Sequence, residues 1–462
     1  MKPLRRILMP VRTTVIAAFA YLCAGVKSAR IFIFCFLLPL AFLLPSLLAN
    51  LTNSHVPTET LLRGMMSITT YSCLPCAYLV VTHHLVSLRE THELASLLSA
   101  VNGFFPVLAG SYLAACLVAS MNCAALCALF LILFPPLRWS LLASVLAVIP
   151  ALIAFFAALS MPMLLLKPQQ ADRLPGIVYC ILLATPVFSL NPVLTIIESF
   201  HPFHVAFVLE TLASRQLYSP QWLEIVIALV EIAAAISCAI FSLLAFLRRE
   251  HGYPSAALEN ILNEARHHHH QLVAITSESE EHTRMFLRSF TAQATRPHSC
   301  LLAETALFTS FSARFQRWMV AKLAAANSCS PQTAIAEGIR HRIDRNYRRT
   351  TYAKLPSAMK KALLVEEGFQ FSRSLIIFDS PLESASSRQK IISMFSSFLA
   401  HNDGRQVLFS VNCADELHSI DDIPLIVMRT TSPQQAQLCV REHAQTLTEK
   451  QFRRLCGRPL VG

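Results

Sequence analysis

Charge is scarce in this chain. Asp, Glu, Lys and Arg make up 15% of its 462 residues, against 54% hydrophobic ones and a mean hydropathy of +0.48. That balance excludes an ordinary soluble enzyme, in which about a quarter of the residues are charged. Glycine is also sparse, with 11 in the whole sequence. No glycine-rich run is available to bring backbone N–H groups up to a phosphate. The 14 cysteines follow no repeating pattern, and Cys73 and Cys76 form a C-x-x-C inside an apolar stretch. They read as reduced packing residues, so neither a disulfide framework, a metal nor any other cofactor is expected. No Arg/Lys face interleaved with aromatics stands out, which argues against a nucleic acid partner.

What charge there is falls unevenly. Residues 1–247 hold 12 Lys+Arg and 8 Asp+Glu, leaving 27 and 20 for residues 248–462. The first half therefore reads as a membrane domain and the second as a soluble one. The basic surplus of the soluble half suits an anionic membrane leaflet. Lys2, Arg5, Arg6 and Arg12 precede an apolar run from Thr14 to Cys23 with no small-residue cleavage site. Residues 1–30 are read as a cytoplasmic amphipathic segment.

A bilayer core about 30 Å thick needs around 20 apolar residues per helix. Six stretches qualify, 31–50, 61–82, 104–134, 139–166, 174–192 and 222–247, so residues 31–247 are expected to form a six-helix transmembrane domain. Lys27, Arg30, Arg89, Lys167, Arg173, Arg248 and Arg249 lie beside the ends that an even count puts on one side. The positive-inside rule then places both termini in the cytoplasm. Between the fifth and sixth spans Pro192, Pro202 and Pro220 break a semi-apolar segment suited to re-entrant or interfacial pieces.

Ionisable residues in this half are few: Glu198, Glu210, Glu224 and Glu231, with His201 and His204 nearby. The first three suit the outer headgroup region. Glu231, nine residues into the last span, is the pathway candidate. Residues 84–101 form a connection of helical period, with Arg89 and Glu93 spaced i,i+4 and Leu94, Leu97 and Leu98 on one face. Arg89, Glu90 and Glu93 are candidates for coupling to a docked partner, the alternative being a surface helix at the membrane edge.

In the second half, residues 248–271 read as a linker helix ending at His267–His270. Consecutive side chains fan around a helix and cannot all meet one metal ion. Leu272–Thr276, Ser374–Asp379, Arg405–Val411 and Ile423–Met428 are β-branched or apolar runs alternating with helical patterns. An α/β layer with a parallel sheet follows over 272–462.

The stretch SLIIFDSPLESASSRQKIISMFSSFL, then GRQVLFSVNCADELHSIDDIPLIVM, resembles the end of an ABC transporter ATPase domain: Walker B strand, D-loop, helix and switch strand. Upstream, KLPSAMKKALLVEEGFQFSRS is similar to that family's signature loop and helix, in the wording of the capsular-polysaccharide export type. VAITSESEEHTRMFLRSF then stands where the family has strand, P-loop and helix. The resemblance implies a domain that keeps the skeleton and loses the chemistry. The lysine slot is Thr283 and the Mg²⁺-binding Ser/Thr slot is Arg284, while Glu278, Glu280 and Glu281 put carboxylates where phosphate would approach. Two like charges 4 Å apart repel by about 4 kcal/mol at an effective dielectric of about 20. Asp379 keeps the Walker B acid. The following acid is Ser380, the switch histidine is Asn412, the D-loop acid is Ser386, and the signature serine is Pro356, followed by Ser357 and Ala358. Gln316 is a candidate remnant of the Q-loop and Tyr253 of the adenine-stacking aromatic.

The membrane half resembles an ABC-2 type permease of polysaccharide export. It shares the basic amphipathic start, the six spans, and SFHPFHVAFVLETLASRQL ahead of the last one, with His201 where that family has Asn. Together the resemblances imply the permease subunit of a capsule-type glycan exporter fused to a degenerate P-loop ATPase-like domain. Such a subunit has no catalytic residues. Its partners would be a second membrane subunit, identical or not, an intact ABC ATPase, and a glycan or lipid-linked glycan. A membrane-anchored scaffold that transports nothing is the rival from another class, and an ATPase with unorthodox residues is a second. A lipopolysaccharide-transport permease would need a large periplasmic insertion, for which no loop is long enough.

Overall fold

The computed structural model describes residues 2–27, 32–37, 39–40, 58–101, 104–133, 139–166, 170, 173, 202–214, 222–250, 271–293, 300–309, 311–326, 350–371, 373–400, 405–418, 420, 423–432, 435–441 and 446–456. The chain divides into two compact units. One joins Ala17–Ser87 to Leu108–Phe246; the other joins Met1–Ile16 and Leu88–Val107 to Leu247–Gly462. This division departs from a simple cut near residue 247, because Leu88–Val107 groups with the second half.

The first unit is helical. It contains the C-terminal part of α1 (Lys2–Lys27) from Ala17 on, then α2 (Thr58–Cys76), a π-helical segment (Ala77–Thr82) and the start of α3 (His83–Glu90). After α4 (Glu93–Val101) in the other unit come α5 (Phe104–Leu133), α6 (Ser140–Ser160) with a 3₁₀ turn at Met161–Leu165, α7 (Pro202–Ser214) and α8 (Trp222–Glu250). Among the described residues four helical segments are long and apolar enough to cross a membrane: Ile68–Glu90, Phe104–Leu133, Ser140–Leu165 and Trp222–Arg248. Of the six expected spans, 174–192 lies outside the described residues, and of 31–50 only 32–37 and 39–40 are described. The second expected span runs eight residues past its anticipated end at 82, so Arg89 and Glu90 close the apolar helix itself.

Pro75 lies inside α2 and the π-helical segment follows directly. A proline ring removes one backbone donor and crowds the preceding carbonyls, and a widened turn relieves both. The widened turn buries Tyr78, Val80 and Val81 and brings Thr82 Oγ1 within 2.5 Å of Ser160 Oγ. Met65, Ile68, Leu126, Cys127, Phe130, Leu131, Leu141 and Val145 form the core where α2, α5 and α6 meet.

The second unit carries a six-stranded sheet. Its strands are β1 (Leu272–Ser277), β2 (Cys300–Ala303), β3 (Leu375–Phe378), β4 (Gln406–Ser410), β5 (Leu425–Ser432) and β6 (Gln435–Arg441). They lie in the order β2-β3-β4-β1-β5-β6, all parallel except the final β5–β6 pair. The helices are α9 (Glu280–Gln293), α10 (Ala313–Ala326), α11 (Ser357–Gln370), α12 (Ala385–Ala400) and α13 (Glu449–Cys456). The inner strands are buried along their length, as a parallel sheet covered on both faces requires.

On one face Val273, Ile275, Leu302, Leu375, Ile377, Leu408 and Ile426 pack with Phe286 and Leu287 of α9. On the other, Phe378 and Phe409 meet Phe369 of α11 and Phe395 and Phe398 of α12. Phe369 and Phe398 stack with centroids 4.0 Å apart. Gly368 makes this close approach possible, because a Cβ there would sit 2.5 Å from the Phe378 ring.

Candidate functional site

The C-terminal ends of parallel strands are where α/β folds place ligands. Here those ends are filled by the protein's own side chains. β1 stops at Ser277 and α9 begins at Glu280, so only Glu278 and Ser279 link them. Ser279 caps α9, its Oγ accepting from the His282 N–H at 3.2 Å. The hydroxyls of Ser277 and Thr283 lie 2.8 Å apart, and both reach the Ser279 carbonyl, at 2.7 and 3.1 Å. Thr283 is buried in this closed turn. Glu280 and Glu281 are exposed on the first turn of α9 and Glu278 is half-buried. Acids at that end complement the helix dipole and need no other role to be tolerated there.

One turn further, Arg284 Nε donates to Asp379 Oδ2 at 2.7 Å. Burial depresses the Arg284 pKa, but the hydrogen bond and charge of Asp379, with Glu280 and Glu304, outweigh it and leave the guanidinium above its ordinary value. Asp379 Oδ1 accepts from Ser410 Oγ at 2.7 Å and from Ser380 Oγ at 3.3 Å. The Ser380 N–H donates to Ser410 Oγ, and Asn412 Nδ2 donates to Ser380 Oγ at 3.1 Å. Ser380 takes φ 45°, a left-handed conformation unusual for a residue with a Cβ. Arg284, Asp379, Ser380 and Asn412 therefore meet in one network across α9, β3 and β4.

Beside it lies a second ion pair that the sequence did not reveal. Arg288 Nε and Nη2 bind the two oxygens of Glu304 at 2.7 and 2.9 Å, and Arg288 Nη2 also lies 2.9 Å from His92 Nδ1. Burial raises the Glu304 pKa, with the Arg288 hydrogen bonds and charge opposing it. The signal available was positional: Arg284 and Arg288 are i,i+4 on α9.

His92 introduces the docked segment. The connection 84–101 is not one helix: it breaks at Thr91–His92, where His92 takes φ 59° and its N–H returns to Arg89 O at 3.1 Å. Arg89 and Glu93 thus fall on different helices rather than one turn apart on the same one. α4 then packs on β2. Ser96 Oγ accepts from the N–H groups of Glu304 and Thr305, and Ser99 Oγ exchanges hydrogen bonds with the N–H and carbonyl of Leu302, both at 3.1 Å. Glu93 is buried and accepts from Thr309 Oγ1. Burial raises its pKa and the Thr309 hydrogen bonds lower it. Arg89 is half-buried and Glu90 exposed. The face read as a seat for a separate partner is covered, from Glu93 onward, by the chain's own α/β domain.

The remaining candidates fall elsewhere. Pro356 is the exposed N-cap residue of α11, followed by Ser357 and Ala358 in its first turn. Gln316 lies inside α10, where Nε2 donates to Glu367 Oε1 at 2.8 Å; it is not at the β2 end. Burial pushes Glu367 up to about 8, against hydrogen bonds from Leu307 and Gln316. Ser386 is exposed and 3.2 Å from Ser384. Glu231 sits half-buried on α8 with Oε2 unpartnered, whereas Glu210 on α7, expected in the headgroup region, is buried with neither oxygen hydrogen-bonded. Glu198, His201 and Tyr253, and the four histidines, lie outside the described residues. Among the described residues no group of three or more His, Cys, Asp or Glu is placed to hold a metal ion.

No protein-family model matches the chain, and no curated protein does. Solved structures with a similar course include a metal-chelate type ABC transporter in an inward-facing conformation, 12% identical, with a TM-score of 0.29, covering 40% of this chain and 78% of its own. Another is a bacterial Atm1-family ABC exporter with ATP bound, 11% identical, with a TM-score of 0.27, covering 91% of this chain and 77% of its own.

Proposed function

We propose that the protein is the membrane permease subunit of an ABC-type exporter whose attached ATPase-like domain holds no nucleotide. The Arg284–Asp379 pair carries this reading. It places a fixed cation where a Mg²⁺–triphosphate would need an open carboxylate, behind a turn too short to wrap phosphate. The α4 docking supports a transport role rather than an independent soluble one: a segment between two candidate spans is hydrogen-bonded into the end of β2, so displacement of either is felt by the other.

On this reading the power stroke comes from a separate, intact ABC ATPase, which engages the α/β domain or a membrane partner subunit rather than the covered face of α4. The cargo is a glycan or lipid-linked glycan of the capsule type. The decisive measurement is titration of the purified full-length chain with ATP and Mg²⁺, where binding tighter than millimolar would end the proposal. Deletion of the gene should leave surface glycan trapped inside the cell. Normal glycan export in the deletion strain would favour a scaffold instead.

A further inference from the structure

α10 has two unlike faces. Gln316, Met319, Val320, Leu323 and Ala324 are buried. Arg314, Trp318 and Lys322, spaced i, i+4 and i+8, form an exposed stripe on the other side, with Trp318 47% exposed. The indole is held at a fixed angle. Phe311 packs on Phe315 at 4.8 Å, Phe315 on Trp318 at 5.6 Å, and Lys322 Nζ lies 5.9 Å from the indole centroid. A large aromatic kept at the surface between two cations is costly to leave in water and matches a bilayer interface, where indoles favour the headgroup level and cations pair with anionic lipid.

We propose that the Arg314–Trp318–Lys322 stripe of α10 rests on anionic phospholipid headgroups. Three observations select that occupant over other anions. α10 packs against α4, whose two ends lead directly into candidate spans at Glu90 and Phe104, so the helix is tethered within reach of a bilayer. The half of the chain that carries it holds 27 Lys+Arg against 20 Asp+Glu. A single tryptophan with cations one helical turn to either side suits a planar charged surface, whereas single-stranded nucleic acid asks for several stacking platforms along a groove.

The test uses the full-length chain with W139F and W222F, which leaves Trp318 as the sole tryptophan, in nanodiscs containing a headgroup-spin-labelled phosphatidylcholine. Quenching of Trp318 should be strong when phosphatidylglycerol is included. It should fall in phosphatidylcholine alone or in about 0.5 M NaCl, and R314E/K322E should weaken it by about fivefold or more for each cation removed. Hydrogen exchange on the unmodified chain should show residues 313–326 protected in phosphatidylglycerol discs relative to phosphatidylcholine discs. Quenching and exchange indifferent to lipid charge, salt and R314E/K322E would overturn the proposal. So would a Trp318 response to oligouridylate stronger than to phosphatidylglycerol, which would make nucleic acid the occupant.

Discussion

Arg284 and Asp379 are 95 positions apart in sequence and 2.7 Å apart in space. The Asp379 side chain is 8% exposed and that of Arg284 32%. Removing the cation leaves a buried carboxylate with only two serine hydroxyls. R284A should therefore lower the stability of the α/β unit by about 1–3 kcal/mol, less than a fully buried pair because water still reaches the guanidinium. D379N in the R284A background should recover part of the loss. Urea midpoints of the four proteins close the cycle, and independent, additive effects would show that the pair is not coupled.

The buried Glu367 makes stability depend on pH. Its folded pKa of about 8 lies above the ordinary carboxylate value of 4.5, so between those values the native state binds a proton that the unfolded chain has lost. Stability is full below about pH 4.5 with respect to this group and declines as pH rises toward 8, by an amount on the order of a few kcal/mol. The unpartnered Gln316 Oε1 accepts from the protonated carboxyl once the amide is turned over. E367Q should flatten the decline between pH 5 and 8, measured by thermal unfolding. An unchanged slope would show that Glu367 is ionised in the fold.

Much of this architecture could be read from residue pattern. Leu375–Phe378, ending in Asp379, and Gln406–Ser410 are strands because short β-branched, apolar runs bounded by polar turns can bury both faces only inside a sheet. Six long apolar stretches stood out, four of which are long apolar helices among the described residues, because every backbone polar group in hydrocarbon must be satisfied within its own helix. Thr283, Arg284, Ser380 and Asn412 stood out as site candidates, but the partners they meet did not. The Arg284–Asp379 and Arg288–Glu304 pairs join residues 95 and 16 positions apart on different elements, and no local period encodes them. α4 was hidden for a related reason. Ser96 and Ser99 look like ordinary polar positions on a surface helix, yet their hydroxyls satisfy backbone groups of β2 some 200 residues away. Nor does composition show that His92 turns left-handed and splits 84–101 in two.

The approach of α11 to the sheet depends on the absence of one side chain. A Cβ on Gly368 would meet Phe378 Cε1 at 2.5 Å and Cζ at 2.7 Å. Phe378 cannot easily yield, since it packs on Phe369 and Phe395 at 5.6 Å each. G368A gains helix propensity of up to about 1 kcal/mol, but overpacking of this kind costs about 1–3 kcal/mol, so net destabilisation is expected. A lowered unfolding midpoint, with F378L in the G368A background partly restoring it, is the predicted outcome. An unchanged or raised midpoint in G368A would mean the ring moves freely.

The two serines of α4 separate docking from folding. Ser96 Oγ accepts from the buried Glu304 N–H at 3.0 Å and the half-buried Thr305 N–H at 3.3 Å. Alanine there removes the acceptor and leaves both donors unsatisfied, at a cost of about 1–3 kcal/mol. Ser99 serves Leu302 in the same way, so S96A/S99A removes the polar contacts between α4 and β2 and leaves Leu94 and Leu97 buried. The sheet core of Ile275, Ile377 and Leu408 does not touch these hydroxyls, and global unfolding should shift less than local opening. Hydrogen exchange at residues 301–305 is therefore predicted to accelerate by tenfold or more in S96A/S99A while exchange in β1 and β4 stays close to wild type. Equal acceleration across the sheet would mean that α4 is part of the folding unit. No acceleration would mean that apolar burial alone holds the segment in place.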